Sequence, residues 1–279
     1  MTICVKPNDS ITESTIKSCS YNVNRIETFN DLKEEFPNVF NGIGRAVEFQ
    51  HQSVVKEDAI PVAQKVRPVP YAYELELKEE IQNLLNDGII EKCDHAEWVS
   101  PIVISRRKNN KVRLCVDLRI VNKNIIPVKY PLPNIESLIG SIKKANFISK
   151  FDMNSAYHQL PLHEKTKKLT TFVTPFGLYR YNTGPFGLAD LPGGFQKMVD
   201  IILSGCKNTF NLLDDILVVS ETEEIHDANV REVLSRLQKN GLTLSSSKCF
   251  FKVSKVNWLG FSISAKGVHM LPENVSAVR

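Results

Sequence analysis

The window that most constrains this chain is Phe210-Asn211-Leu212-Leu213-Asp214-Asp215-Ile216-Leu217-Val218-Val219, where two adjacent carboxylates break an apolar strand pair. Two anions side by side on a hydrophobic hairpin are costly unless a cation or solvent compensates. Magnesium, which prefers oxygen ligands, is one such cation. The plainer reading is a two-residue turn at Asp214-Asp215. Tight hairpins, however, favour Asn-Gly or Asp-Gly because both central residues need positive φ, so Asp-Asp is a poor choice for backbone reasons alone.

A third carboxylate, Asp152, ends the short apolar strand Phe147 to Phe151 and precedes Met153-Asn154-Ser155-Ala156-Tyr157-His158-Gln159. Taken singly, an Asp in that position is a helix or turn cap. Taken with the hairpin, it supplies what two-metal phosphoryl transfer requires: carboxylates from separate strand ends converging on ions about 3.5–4 Å apart.

The rest of the chain reads as an α+β unit. Residues 1–45, rich in Ser, Thr and Asn, read as a linker with a short helix near Phe29 to Phe40 that Pro37 interrupts. Leu77, Ile81, Leu84 and Leu85 share one face of a helix over Tyr73 to Asp87, with Gly88 as its C-terminal cap. Trp98 to Ser105 and Val112 to Val116 form a hairpin around the basic tip Arg106 to Lys111. Amphipathic helices follow at Phe195 to Leu203 and Ile225 to Leu237, either side of the acidic strand pair. Strands and helices mix without strict βαβ alternation, which gives the α+β class.

Charge is uneven. The whole chain of 279 residues is only +4, with 42% apolar and 24% charged side chains, enough for a real core. Yet Arg106, Arg107, Lys108, Lys111, Arg113, Arg119 and Lys123 face the single acid Asp117 in one short stretch. Such a block is either a phosphate-facing surface or a plain solvated hairpin tip, and charge alone leaves both open. The six cysteines have no paired spacing and the histidines do not cluster with them, which argues against zinc. Neither a signal-peptide apolar region nor a membrane span is present, so the reading is intracellular, with no membrane partner.

At this point the motifs resemble one family, the reverse transcriptases of LTR retrotransposons, closest to the gypsy class. They stand in family order: Gly88-Ile89-Ile90-Glu91, Ser100-Pro101-Ile102-Val103, Arg113-Leu114-Cys115-Val116-Asp117, Tyr130-Pro131-Leu132-Pro133, Lys150-Phe151-Asp152, Tyr157-His158-Gln159, Pro185-Phe186-Gly187-Leu188, Leu213-Asp214-Asp215-Ile216-Leu217 and Trp258-Leu259-Gly260-Phe261. Each is weak alone; nine in order are not a coincidence.

The resemblance implies a right-hand polymerase, with fingers over about 60–145 and 172–190 and palm over about 146–171 and 191–279, within a domain spanning 46–279 and without a thumb. It implies that Asp152, Asp214 and Asp215 form the catalytic and metal-binding triad for two Mg²⁺ ions, with Mn²⁺ as a substitute. Arg113 and a cation among Arg106, Arg107 and Lys108 would meet the incoming triphosphate. Tyr157 would be the steric gate against a ribose 2′-hydroxyl, although a lone Tyr there would otherwise read as core. Phe186 would floor the nucleotide pocket, and Trp258, Leu259 and Gly260 would form the primer grip, with ordinary packing as the alternative for Trp258. The partners implied are an RNA/DNA template-primer duplex and deoxynucleoside triphosphates, and the setting is the cytoplasm.

Departures from the family point the other way. Leu212 stands where a Tyr is usual, Gly184 where a Met is usual, and Asp190-Leu191-Pro192-Gly193-Gly194 replaces Asn-Ala-Pro-Ala-Thr. Two glycines at a helix start cost about 1 kcal/mol each relative to Ala. With the chain ending soon after the primer-grip motif, these changes suggest a drifting, truncated copy, and a second expectation: a weak or inactive nucleic-acid-binding remnant.

Overall fold

The computed structural model describes residues 25–106, 112–127, 130–142 and 145–271. Its centre is a four-stranded antiparallel sheet in the order Phe250–Val253, Phe147–Asp152, Asp215–Ser220, Thr209–Leu212. Both faces of this sheet are covered, which is why Ile216 to Val219 is a continuous apolar run rather than an alternating one. Phe151, Ile216 and Val218 point into the main core, beneath the helices Leu191–Ile202 and Glu223–Lys239. Ile148, Leu217 and Val219 point the other way, against Val256, Trp258 and Ile263 of a three-stranded sheet formed by Lys255–Trp258, Phe261–Ser264 and Gly267–Met270.

A five-stranded sheet makes the second half, in the order Ile90–Lys92, Gly177–Tyr181, Phe172–Thr174, Ser100–Arg106, Val112–Val116. Chain segments from both sides of the Asp152 strand contribute to it, so the two halves interleave in sequence. The helix Glu74–Asn86 packs on it through Leu77 and Ile81, both buried. The basic tip 107–111 of its hairpin lies outside the described residues. No helix among the described residues is long and apolar enough to cross a membrane.

The linker expected over 1–45 does not extend to residue 45. The helix Phe29–Glu35 is closed by a capping box between Thr28 and Asp31, and the turn Pro37–Phe40 follows. Ile26, Leu32, Phe36 and Val39 are buried in the main core. Leu32, Phe36 and Val39 follow one another at four- and three-residue steps, a pattern that the surrounding polar composition obscures. Residues 25–45 are therefore part of the folded unit.

Candidate active site

The sheet register gathers the acids. Asp152 is the last residue of its strand and is directly opposite Asp215, the first residue of the neighbouring strand. Asp215 is also opposite Leu212 in the hairpin, so the two turn residues are Leu213 and Asp214, and the plainer reading of an Asp214-Asp215 turn does not hold. Leu213 takes φ 52°, and Asp214 is not in the positive-φ region. Positive φ at the first turn position only is the type II′ pattern, which normally takes Gly there. A leucine in that region is strained by about 1–2 kcal/mol. The Met153 amide donates to the Asp214 carbonyl at 2.9 Å, which locks the turn beside the end of the Asp152 strand.

Two lysines hold the acids in this state. Lys248 Nζ is 2.9 Å from Asp152 Oδ1, and Lys150 Nζ is 2.9 Å from Asp215 Oδ1. Among the described residues Asp214 has no such partner. Its carboxyl is pushed above the ordinary range, first by desolvation within the cleft walls and then by the neighbouring charges of Asp215 and Asp152. Lys248 is shifted upward by its bond to Asp152.

Could these residues hold a metal? Among the described residues no three His, Cys, Asp or Glu side chains are grouped as a ready-made cage. Mg²⁺ does not need one, because it commonly binds through one or two carboxylates and completes its shell with water and substrate phosphates. An oxygen-only donor set with one uncompensated carboxylate and two displaceable ion pairs fits that chemistry.

Asp214 opens into a cleft of about 750 Å³, which Arg113, Tyr157, Phe186 and Lys248 also line. Arg113 lies over the Phe186 ring, 4.3 Å from its centroid. Tyr157 is wedged edge-on between Phe186 and Phe195, at 5.3 and 5.5 Å. Burial pushes its phenol upward, with the charge of Asp214 adding to the shift.

Of the other expected residues, Lys108 and Arg107 lie outside the described set. Arg106 turns back over Tyr73 and towards Glu76, 3.8 Å away. Trp258 is 1% exposed and packs as core under the central sheet, while Leu259 and Gly260, both with positive φ, form the hairpin tip beyond it. None of these three lines the cleft.

The substitutions read as drift turn out to be fitted to one another. A Cβ on Gly184 would lie 2.7 Å from both Leu191 Cδ2 and the Tyr157 carbonyl. Leu191 thus occupies the room a larger residue at 184 would take. A Cβ on Gly194 would overlap the ring of His51, whose Nε2 is 3.2 Å from Asp190 Oδ1 in a buried pair that Ser53 joins at 3.1 Å. Gly184 and Gly194 are therefore contact positions, and the inference of decay drawn from them is withdrawn.

Sequence reasoning gave no part to Lys248 or to Gln196. Lys248 had no signal beyond being a basic residue after three serines. Gln196 belongs to a recognisable motif, but only the fold turns its amide towards the Leu213 backbone, 2.7 Å away.

An antiparallel sheet carrying paired acids at its strand ends, with a second sheet closing a cleft over them, is the fingers-and-palm arrangement of a right-hand polymerase. A family model described as reverse transcriptase (RNA-dependent DNA polymerase) matches residues 105–263, and the chain belongs to that family, in the branch carried by LTR retrotransposons.

It is 32% identical over 262 residues to a retrovirus-related Pol polyprotein from transposon opus of Drosophila melanogaster, covering 90% of this chain and 26% of the relative. It is 30% identical over 247 residues to the Tf2-3 polyprotein of Schizosaccharomyces pombe, covering 88% and 18%. The chain thus spans about a fifth to a quarter of the length of these curated relatives. Among solved structures, a foamy viral protease-reverse transcriptase in complex with RNA/DNA hybrid superposes with a TM-score of 0.80 at 19% identity, over 92% of this chain and 36% of that one. A foamy viral protease-reverse transcriptase in complex with double-stranded DNA gives the same score at 19% identity, over 92% of this chain and 56% of that one.

Proposed function

We propose that this chain carries out RNA-directed DNA polymerisation, adding deoxynucleotides to a primer on an RNA or DNA template, as a member of the gypsy class. The observation that supports this best is the register of Asp152 against Asp215, with Asp214 next to it in the turn and lining a cleft together with Arg113, Tyr157 and Phe186. In this reading the five-stranded sheet belongs to the fingers and the four-stranded sheet to the palm, along the sequence divisions given above.

Two magnesium ions, with manganese as a substitute, supply activation of the primer 3′-hydroxyl and neutralise the triphosphate when bound. Asp152, Asp214 and Asp215 are the residues that would hold them, and Lys248 and Lys150 release their carboxylates as they do. Arg113 leaves the Phe186 face to meet the triphosphate, an exchange of a cation–π contact for a charge-assisted one. Tyr157, fixed between two aromatic rings, presents a rigid edge to the sugar and bars a 2′-hydroxyl. The template-primer duplex runs along the cleft, with the Leu259-Gly260 turn against the primer. The setting that fits this work is the cytoplasm.

The test is primer extension on an RNA template. Wild-type chain should extend, and Asp214→Asn should lose about a hundredfold or more in turnover. Tyr157→Ala should admit ribonucleotides. Extension that survives Asp214→Asn refutes the assignment of the acids. Salt-sensitive duplex binding without extension by the wild-type chain would instead support a nucleic-acid-binding remnant.

A further inference from the structure

The catalytic turn contains a non-glycine residue at positive φ, and something must hold it there. Leu213 N–H donates to Gln196 Oε1 at 2.7 Å. Gln196 is fully buried, and its amide can serve this turn in one orientation only, because a flipped amide would set NH₂ against N–H. Asp200 fixes that orientation. Its Oδ1 accepts from Gln196 Nε2 at 2.7 Å and from Asn211 Nδ2 at 2.9 Å, and its Oδ2 accepts from the Tyr130 hydroxyl at 2.7 Å. The Tyr130 phenol is held above its ordinary range chiefly by that bond. Tyr130 opens the Tyr130-Pro131-Leu132-Pro133 connector, whose prolines restrict the backbone on either side of Leu132.

We propose that Asp200 is a positioning residue for the catalytic turn: with Tyr130 it forms a hydrogen-bonded relay that sets the Gln196 amide, and through it the backbone beside Asp214. Each link is short and each donor meets an acceptor. The relay reaches the turn from the helix Leu191–Ile202 and the connector, without touching the acids themselves.

The inference rests on the polymerase reading only for its turnover arm, so two measurements are paired. The first is amide hydrogen exchange of the peptide covering 209–217, followed in wild type, Asp200→Ala and Asp200→Asn. In Asp200→Ala the Leu213 amide should exchange faster, while the helix Glu223–Lys239 keeps its protection. Asp200→Asn should restore the slow rate, because its carbonyl still accepts from Gln196 and Asn211 and its NH₂ can face the Tyr130 oxygen. The second is primer extension. Asp200→Ala should lower kcat by about 10- to 100-fold with the KM for template-primer unchanged, and Asp200→Asn should regain most of the loss.

Unchanged protection at Leu213 in Asp200→Ala overturns the proposal, whatever the activity. So does loss of protection throughout the chain, which would mark Asp200 as a general stability residue, and so does Asn behaving as badly as Ala. If the wild-type chain extends no primer, the polymerase reading fails and exchange alone decides the relay.

Discussion

Lys248 and Lys252 are four residues apart in sequence, and each sits on carboxylates beside the same central strand, yet they are built for different ends. Lys248 is 63% exposed and touches Asp152 with an ion pair open to water. Lys252 is 11% exposed, bonds Glu223 and the 2% exposed Asp227, and donates to the Ile26 carbonyl. The Ile26 amide in turn donates to Asp227, so the N-terminal arm is pinned by the same cluster. An exposed pair contributes about 0–1 kcal/mol and can be exchanged for another cation. A buried one cannot be opened without stranding a charge. The contrast separates an ion pair that water can exchange from one that is committed to the fold.

The sharpest way to break this comparison is to remove each lysine in turn. Lys252→Met should destabilise the chain by about 3–5 kcal/mol, because it leaves Asp227 buried and unpaired, whereas Lys248→Met should cost less than about 1 kcal/mol. Denaturant unfolding measures both. Equal losses would mean that burial does not separate the two clusters.

Next in size is the helix start at Gly194. Propensity alone says that Gly194→Ala gains about 1 kcal/mol. Because the methyl meets the His51 ring, the expected outcome is a loss of about 1–3 kcal/mol. Adding His51→Ala should remove that loss relative to His51→Ala alone, so a double-mutant cycle in thermal unfolding reads the contact directly. Additive effects would return Gly194 to the status of drift.

The smallest effect at neutral pH concerns the buried end of the Lys252 cluster. His226 is fully buried, with Nε2 2.7 Å from Ser149 Oγ, and burial depresses its pKa to about 4. A depressed folded-state value means that the unfolded chain takes up the proton first. The stability tied to neutral His226 is thus fully present above about pH 6.5 and is lost as pH falls through about 4. His226→Gln should flatten the stability curve across that window. An unaltered slope in His226→Gln would show that another group carries the acid sensitivity.

Much of this was legible in the chain. The apolar run around Asp214 and Asp215, the helical spacing of Leu77 and Ile81, and the order of the short motifs gave the class of fold and the place of Asp152 at a strand end, because periodicity and residue chemistry are local. The linker boundary was misplaced for the same reason: Ser, Thr and Asn set the composition of residues 1–45, while the few apolar residues that decide burial are sparse.

What the sequence by itself determined is the class of fold and roughly which elements bear the three acids. Only the tertiary structure decided that the turn is Leu213-Asp214, that Lys248 and not Lys252 neighbours Asp152, that Trp258 is core, and that Gly184 and Gly194 are filled by Leu191 and His51. Several of these join residues far apart in sequence, such as Lys248 and Asp152. Register, close packing and burial arise from how distant segments meet, and no local pattern encodes that meeting.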